Sequence, residues 1–405
     1  MDNTQFIETC ENKLSEKFKA IDNIAYFNQV KVGRAFKNNQ VAVRHFNGTT
    51  GYGYGDEGRD CLGKLYAEAF GAESGIVSPH IVSGTHALTV ALFGLLRPND
   101  TLLCISGMPY DTIRGVIFGT DNGSLKDFGV KFVCCDLKDG KLDFDEIKKK
   151  FNRSVKVVYI QRSRGYELRD AFSCAEIEDA CKFVRSLGFT GCIFVDNCYG
   201  EFVETKEPTE IGADIIVGSL IKNAGGGLAP TGGYICGKSE YVEMIGKRLT
   251  APSIGLEVGS YAGGYQYFYQ GLFMAPHTVA QALKTSFLIG QAMDALGYKN
   301  YPAIDKMPSD ITRAIQFDSA DKMVDFIREV QYASPVDGYV TCEPWDMPGY
   351  DDKIIMAAGT FVSGASIELS ADGPVKPPYI AYFQGGLTYE HGKYALARIL
   401  EKLRG

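Results

Sequence analysis

Two stretches of sequence decide the fold, Cys192-Ile-Phe-Val-Asp196 and Ala213-Asp-Ile-Ile-Val-Gly-Ser-Leu-Ile-Lys-Asn-Ala-Gly-Gly-Gly227. Each contains a short apolar run, which is typical of a strand buried on both faces. The first run ends at Asp196, and the second leads to Lys222. Because open parallel sheets bind ligands outside the carboxyl ends of their strands, we expect Asp196 and Lys222 at one shared edge.

A lysine among small residues beside a strand that ends in a carboxylate indicates a site for pyridoxal 5′-phosphate. Burial lowers the pKa of a lysine by up to roughly 3–5 units. The lysine is then more often neutral, and the neutral amine is the form that attacks a ligand carbonyl. A carboxylate at Asp196 keeps the pyridine nitrogen protonated. We therefore predict Lys222 and Asp196 as catalytic residues. The alternative is a surface lysine on a glycine-rich turn and an aspartate that caps a helix.

Further apolar runs alternate with amphipathic stretches between about residues 76 and 236. This alternation predicts an α/β fold with a mainly parallel sheet and helices on both faces. The last run precedes another helix and is expected to be antiparallel. The predicted strands are Thr101-Leu-Leu-Cys-Ile105, Val130 to Cys135, Val155 to Ile160, Cys192 to Val195, Ile215 to Val217 and Gly233 to Cys236.

The chain is too long for one hydrophobic core. It has 405 residues, and single cores stop growing near roughly 250–300 residues. We expect an N-terminal helix and arm (1–50), a large cofactor-binding domain (51–280) and a small α+β domain (281–405). The small domain is predicted to contain strands at 311–317, near 338–341 and at 354–356, and a helix at 320–330.

Composition excludes several classes of protein. The net charge of −7 argues against nucleic acid or an anionic membrane as the partner. No run of about 18 apolar residues predicts a membrane span, and the first ten residues do not resemble a signal peptide. The eleven scattered cysteines favour reduced thiols and a cytoplasmic protein. The five histidines lack ligand spacing, so no metal is expected.

A small polar turn, Ser83-Gly-Thr85, precedes the helical run from His86 to Leu96. Free N–H groups and hydroxyls at a helix start favour a phosphate, although an ordinary N-cap has the same pattern. Ser219 offers a further hydroxyl to this phosphate. Tyr110 follows the strand that starts at Thr101, and its ring is a candidate to stack on the cofactor; the alternative is a half-buried turn tyrosine.

Two arginines, Arg162 and Arg164, follow the strand that ends at Ile160. Guanidinium groups suit a substrate carboxylate, and we predict that one of the pair binds it. The alternative is solvated charge at the end of a strand.

Two aromatic segments suggest contact with a second subunit. Tyr52 and Tyr54 lie on a glycine-rich loop, which we expect to reach into a neighbouring subunit. The segment Tyr261 to Met274 concentrates aromatic residues without a charge and predicts a subunit interface, with a buried irregular segment as the alternative.

Several motifs together resemble the aluminium-resistance family of pyridoxal phosphate proteins, which is related to methionine γ-lyase and the cystathionine lyases. The resemblance runs from about residue 20 to the C-terminus. The motifs are Gly51-Tyr-Gly-Tyr-Gly-Asp-Glu-Gly-Arg59, Phe70-Gly-Ala-Glu73, Ser83-Gly-Thr-His-Ala87, Val195-Asp-Asn-Cys-Tyr-Gly-Glu201, Gly218-Ser-Leu-Ile-Lys-Asn-Ala-Gly-Gly-Gly227 and Gln270-Gly-Leu-Phe-Met-Ala-Pro-His277.

The resemblance implies the fold type I architecture of aspartate aminotransferase and a carbon–sulfur lyase that acts on a sulfur-containing amino acid. It also implies a homodimer or homotetramer with shared active sites. Lys222 would be the Schiff-base lysine and Asp196 the partner of the pyridine nitrogen. Ser83, Gly84, Thr85 and Ser219 would surround the phosphate.

The chain departs from the cystathionine lyases at two points. Tyr52-Gly-Tyr54 lacks the arginine of their Tyr-x-Arg pair, and Tyr379 to Leu387 lacks the late arginine that binds the substrate carboxylate. Two alternative functions stay open. One is another pyridoxal reaction, such as transamination or aldol cleavage, because the cofactor site does not determine which bond breaks. The other is non-catalytic cofactor binding in metal stress, which the missing late arginine keeps open.

Overall fold

The computed structural model describes residues 2–347 and 352–404. Its larger sheet has seven strands in the order β1-β7-β6-β5-β4-β2-β3. The strands are β1 (Ser74–Ser78), β2 (Thr101–Cys104), β3 (Lys131–Cys134), β4 (Val155–Gln161), β5 (Cys192–Asp196), β6 (Ile215–Ser219) and β7 (Gly233–Gly237). The six strands predicted from apolar runs are confirmed.

Strand β7 is antiparallel to both of its neighbours, β1 and β6, as the sequence predicts for this last run. The pairs among β2, β3, β4, β5 and β6 are parallel. The carboxyl ends of β4, β5 and β6 therefore meet at one edge, where Gln161 pairs in register with Asp196 and Asp196 with Val217.

Helices cover both faces of this sheet, and β4 illustrates why its sequence does not alternate. Val158 and Ile160 pack into one core, while Val157 and Tyr159 pack into the core on the opposite face. The helices of this part are α1 (Asn3–Lys13), α2 (Ser15–Asn38), α3 (Glu57–Ala69), α4 (Gly84–Leu95), α5 (Asp111–Phe118), α6 (Phe144–Lys150), α7 (Cys174–Ser186) and α8 (Ser239–Leu249).

A long helix, α9 (Gln266–Ala295), connects this part to a smaller C-terminal sheet and runs through residue 280, where we predict a domain boundary. The smaller sheet is antiparallel and has the order β10-β11-β12-β9-β8. Its elements are β8 (Lys299–Tyr301), β9 (Arg313–Gln316), α10 (Ala320–Ala333), β10 (Ile354–Ala357), β11 (Ser370–Pro374), β12 (Ile380–Gln384) and α11 (Tyr389–Arg404).

The strand predicted near 338–341 was wrong. Asp337 has a φ of 51° and starts a turn, and residues 338–341 pair with no strand. The strands at 311–317 and 354–356 and the helix at 320–330 are confirmed as β9, β10 and α10. The two sheets confirm the α/β fold with a smaller α+β part. Within residues 2–347 and 352–404, no helix has the length and apolar character to cross a membrane.

Candidate active site

One cavity of about 520 Å³ lies where the carboxyl ends of the parallel strands face the smaller sheet. It brings together most of the residues that the sequence predicts for the site. These are Ser83, Gly84, Thr85, Tyr110, Arg164, Asp196, Ser219 and Lys222. The predicted residues Arg162, Tyr52 and Tyr54 are not part of its lining.

Lys222 follows β6 and extends into this cavity. Its Nζ atom lies 4.0 Å from the centre of the Tyr199 ring. Burial lowers the pKa of the Lys222 amine, but Cys198, Tyr199, Tyr110 and Asp196 raise it, and the net pKa lies well above the usual value. The sequence argument expected burial to lower this pKa; the expectation was wrong for the free amine because acidic groups, Asp196 among them, share its site.

Asp196 is the last residue of β5 and is buried. Its Oδ1 atom accepts a hydrogen bond from the Cys198 backbone N–H (3.2 Å), and Oδ2 accepts one from the Tyr159 hydroxyl (3.4 Å). Burial raises the pKa of the carboxyl, while Lys222 and these hydrogen bonds lower it. Only neutral groups donate hydrogen bonds to this buried carboxyl among the described residues, so it is suited to pair with a protonated ring nitrogen.

The start of α4 provides a cradle for an anion. Ser83 caps the helix by accepting a hydrogen bond from the His86 N–H (3.0 Å), and the first N–H groups of a helix lack intrahelical partners. The buried Ser219 Oγ has no hydrogen-bond partner among the described residues. A Cβ atom at Gly84 would lie 3.4 Å from Ser219 Cβ, so glycine keeps this space open. An unpartnered hydroxyl beside free N–H groups fits the phosphate of the predicted cofactor.

Tyr110 precedes α5 and lies against the cradle. Its hydroxyl shares a hydrogen bond with Thr85 Oγ1 (2.9 Å), and its backbone N–H donates to Gln161 Oε1 (2.8 Å). Burial and the Asp196 charge raise the pKa of the hydroxyl to about 12, although Lys222 lowers it. The phenol therefore stays protonated near neutral pH, and its ring is held at the edge of the cavity.

The structure separates the two arginines that the sequence left equivalent. The buried Arg162 guanidinium donates to Glu204 Oε1 (2.7 Å), Asn197 Oδ1 (2.8 Å) and the Gly200 carbonyl (3.0 Å), and it does not reach the cavity. Arg164 lines the cavity instead. Its Nη1 donates to the Tyr301 carbonyl (2.7 Å), and its Nε has no hydrogen-bond partner among the described residues.

Tyr52 and Tyr54 lie on the surface, with 72% and 69% of each residue exposed and their rings 5.6 Å apart. The other aromatic segment divides. Tyr265, Phe268 and Tyr269 are buried within this chain, whereas Tyr267 and Phe273 are 57% and 47% exposed. We predict this segment as a subunit interface. In the structure, much of it packs into the core of its own chain instead.

Sequence reasoning missed several residues that line the cavity. Tyr199 contacts Lys222 and comes three residues after Asp196, so its position beside a predicted catalytic residue was a usable signal. Asp372 on β11, Tyr382 on β12 and the loop residue Tyr166 had no comparable signal. Asp372 and Tyr382 come from the smaller sheet, which only tertiary packing brings to Lys222, whereas Tyr166 lies on the loop after β4.

Comparison with known proteins places the chain in a family. The family model described as methionine gamma-lyase matches residues 3–404. The uncharacterized protein YnbB of Bacillus subtilis is 48% identical over 389 residues, which cover 95% of this chain and 92% of that protein.

Two solved structures have the same fold at similar identity. One, from Clostridium novyi, is described as a carbon-sulfur lyase involved in aluminum resistance; it is 46% identical, with a TM-score of 0.95 over 99% of this chain and 95% of that one. The other, from Listeria monocytogenes, is provisionally named a cystathionine beta-lyase involved in aluminum resistance. It is 47% identical, with a TM-score of 0.97 over 99% of this chain and all of that one.

These matches confirm the resemblance to the aluminium-resistance proteins and, with the sheet order, the fold type I architecture. The family match covers nearly the whole chain, so the cavity and both sheets lie within it. The chain therefore belongs to the methionine gamma-lyase family of pyridoxal phosphate-dependent carbon–sulfur lyases.

Proposed function

We propose that this chain is a pyridoxal 5′-phosphate-dependent lyase that breaks the carbon–sulfur bond of a sulfur-containing amino acid, as methionine γ-lyase or cystathionine β-lyase does. The observation that carries the proposal is the meeting of Lys222, Asp196 and the start of α4 in one cavity. An amine, a buried carboxyl and an anion cradle match the aldehyde, ring nitrogen and phosphate of one cofactor.

Each part of the cofactor has a candidate partner in the chain. Lys222 would form the Schiff base, Asp196 would face the pyridine nitrogen, and Tyr110 would stack on the ring. The phosphate would be held by Ser83, Gly84, Thr85 and Ser219. When bound, the cofactor supplies a sink for the electrons left on the α-carbon after proton removal.

The chain's own groups then hold the substrate and move its protons. Lys222 would act as the general base that takes the substrate α-proton, and general-base catalysis of this kind contributes about 10²–10⁴-fold. Arg164 is the candidate to bind the α-carboxylate, since its Nε is unpartnered and it lines the cavity. With one water consumed, the products are a thiol, a keto acid and ammonia.

We also propose that the active enzyme is a homodimer or homotetramer. The exposed pair Tyr52 and Tyr54, on a glycine-rich loop, is the candidate to complete the cavity of a neighbouring subunit. The eleven free cysteines support a reducing compartment such as the cytoplasm.

A second candidate function is another pyridoxal reaction on an amino acid, such as transamination or aldol cleavage. It stays open because Tyr382, which lines the cavity from β12, lies in a stretch without the late arginine of the cystathionine lyases, so their substrate preference does not carry over. A cofactor site alone does not determine which bond breaks.

The test compares Lys222→Ala with the control Lys247→Ala, whose lysine lies on the surface of α8 and pairs with Glu243. The wild type is expected to be yellow and to release thiol and keto acid from at least one sulfur amino acid. Lys222→Ala should lose both the visible absorbance and turnover, and Lys247→Ala should keep both. Circular dichroism checks that each variant is folded. Retention of the visible absorbance in Lys222→Ala would contradict the role of the lysine, and amino transfer without thiol release would favour the second candidate.

A further inference from the structure

The wall of the cavity formed by the smaller sheet carries an acid that the proposed reaction does not use. Asp372 lies on β11, is half-buried and lines the cavity. Burial raises the pKa of this carboxyl to about 6, while a hydrogen bond from Tyr166 and the charge of Lys222 lower it. Asp372 therefore carries a negative charge near neutral pH in a partly desolvated place.

The other acids at the mouth of the cavity have cationic partners. Asp111 pairs with Arg114 at 2.7 Å, and Glu167 pairs with Arg169 at 3.2 Å. In residues 2–347 and 352–404, no cation lies within 4.0 Å of the Asp372 carboxylate. Lys222 acts on it from farther away, and the proposed function assigns its amine to the cofactor and the α-proton. Because a desolvated carboxylate without a cation is costly, Asp372 favours a ligand that brings one.

Aromatic rings flank the same acid. Tyr382 on β12 is the register partner of Asp372, and its ring lies 4.9 Å from that of Tyr166. The Tyr382 hydroxyl donates to the Tyr166 carbonyl (2.5 Å), which fixes the ring and leaves its hydroxyl proton committed within the chain. A carboxylate beside aromatic faces is the setting that binds organic ammonium groups.

We propose that Asp372 binds a cationic group at the far end of the substrate side chain, so that the enzyme prefers sulfur amino acids with a second amine over uncharged ones. This inference rests on the proposed lyase function. Lys222 acts at the α-carbon and Arg164 is assigned to the α-carboxylate, which leaves Asp372, Tyr166 and Tyr382 to recognise the remainder of the substrate.

The first test uses a matched pair of substrates, S-(2-aminoethyl)-L-cysteine and S-propyl-L-cysteine, which differ by an ammonium in place of a methyl group. The wild-type holoenzyme should have a kcat/KM about 10- to 100-fold higher for the amine. Asp372→Asn should bring this ratio close to one. The control Glu167→Gln, at an acid that already has Arg169 as its partner, should keep the wild-type ratio.

The pH dependence of the ratio identifies the group. The titratable groups facing Asp372 are Tyr166 and Lys222, with Tyr382 beside it. The pKa values of Lys222 and Tyr382 are both raised, so neither titrates near pH 6. The preference for the amine should therefore grow as pH rises through about 6 in the wild type and stay flat in Asp372→Asn.

A second test measures binding without turnover. L-Lysine and L-norleucine lack sulfur and have the same four-carbon side chain, to whose end L-lysine adds an ammonium; their affinity for the holoenzyme is measured by calorimetry. The wild type should bind L-lysine more tightly, and Asp372→Asn should bind both equally. Equal affinity of the wild type for the two amino acids, or equal weakening of both in Asp372→Asn, would overturn the inference.

The two proposals fail in different ways. If the wild type cleaves both sulfur substrates with equal kcat/KM, the lyase stands and the role of Asp372 falls. If it cleaves neither of these nor any other sulfur amino acid tested, and yet binds L-lysine more tightly than L-norleucine in an Asp372-dependent way, the cation site stands and the lyase function falls.

Discussion

The Nζ atom of Lys222 lies 4.0 Å from the centre of the Tyr199 ring, and the Tyr199 hydroxyl accepts a hydrogen bond from Ser366 Oγ (3.1 Å). Tyr199 follows β5, whereas Ser366 lies between β10 and β11, so one ring links Lys222 to the C-terminal part of the chain. The backbone of Tyr199 has a φ of 74°, a conformation that residues other than glycine seldom adopt.

Replacing Tyr199 by leucine should lower kcat/KM by about 2- to 30-fold, because the ring face that contacts the Lys222 amine is lost. Tyr199→Phe keeps the ring and loses only the bond from Ser366, so it should stay closer to the wild type. Steady-state kinetics on one sulfur amino acid compares the two variants, and thermal unfolding checks their folds. Equal losses in both would assign the effect to the hydroxyl and contradict a role of the ring.

Replacing Asp196 by asparagine should lower turnover by about 10²- to 10³-fold while the protein stays yellow, because a neutral amide stabilises a protonated ring nitrogen far less than a carboxylate. Visible absorbance measures cofactor retention, and thiol release measures turnover. The control is Asp318→Asn, since Asp318 is exposed and pairs with Lys322 on the surface. Wild-type turnover in Asp196→Asn would remove Asp196 from the proposed site.

The two neighbouring arginines should give opposite results when each is replaced by lysine. Arg162→Lys should lower the free energy of unfolding by about 1–3 kcal/mol, because the buried acceptor on Asn197 and the half-buried acceptor on Glu204 lose their donors. Its KM should change little. Arg164→Lys should raise KM about tenfold or more, because the guanidinium fork for a carboxylate is lost. Urea unfolding and steady-state kinetics on both variants make the comparison.

These arginines also mark the limit of what the sequence predicts. Apolar runs identified six strands of the larger sheet because burial on both faces leaves a clear pattern. The pattern could not decide between Arg162 and Arg164, since both follow one strand and only the packing of β8 shows which side chain turns to the cavity. It also missed β11, because Ser370-Ala-Asp-Gly-Pro374 has none of the β-branched residues that favour strands.

The sequence predicted those site residues whose type alone suggests a chemical role and which follow a predicted strand or precede a predicted helix. Lys222, Asp196 and Ser83-Gly-Thr85 lie at the ends of predicted elements, and a parallel sheet brings such ends together. Asp372 was not predictable, because its role depends on contacts across the cavity. The pKa of Lys222 was not predictable either, since its direction depends on which groups share the buried space.

The surface pair Tyr52 and Tyr54 should stabilise an assembly. Replacing both with serine removes exposed aromatic area without disturbing the core, because each residue is about 70% exposed in the isolated chain. The double variant should have a lower molar mass than the wild type by analytical ultracentrifugation and should bind pyridoxal 5′-phosphate more weakly. An unchanged molar mass and an unchanged cofactor affinity would contradict the proposed shared site.

A buried glutamate behind the site should make stability depend on pH. Glu201 Oε1 accepts a hydrogen bond from the Tyr234 hydroxyl (2.7 Å), and Oε2 has no hydrogen-bond partner among the described residues. Burial raises the pKa of this carboxyl to about 8, although the Tyr234 hydrogen bond lowers it. Between pH 4.5 and about pH 8, Glu201 therefore keeps its proton in the folded chain and releases it in the unfolded chain.

Because the unfolded chain binds fewer protons in this range, the free energy of unfolding should fall as pH rises from about 5 to about 8, by up to about 3 kcal/mol from this residue alone. Glu201→Gln cannot ionise and still accepts the Tyr234 hydrogen bond. The variant should therefore gain stability relative to the wild type as pH rises, even if both lose stability for other reasons. Urea unfolding of both proteins at three pH values, in the same cofactor state, measures this difference. A constant difference across the range would mean that Glu201 ionises equally in the folded and unfolded chains.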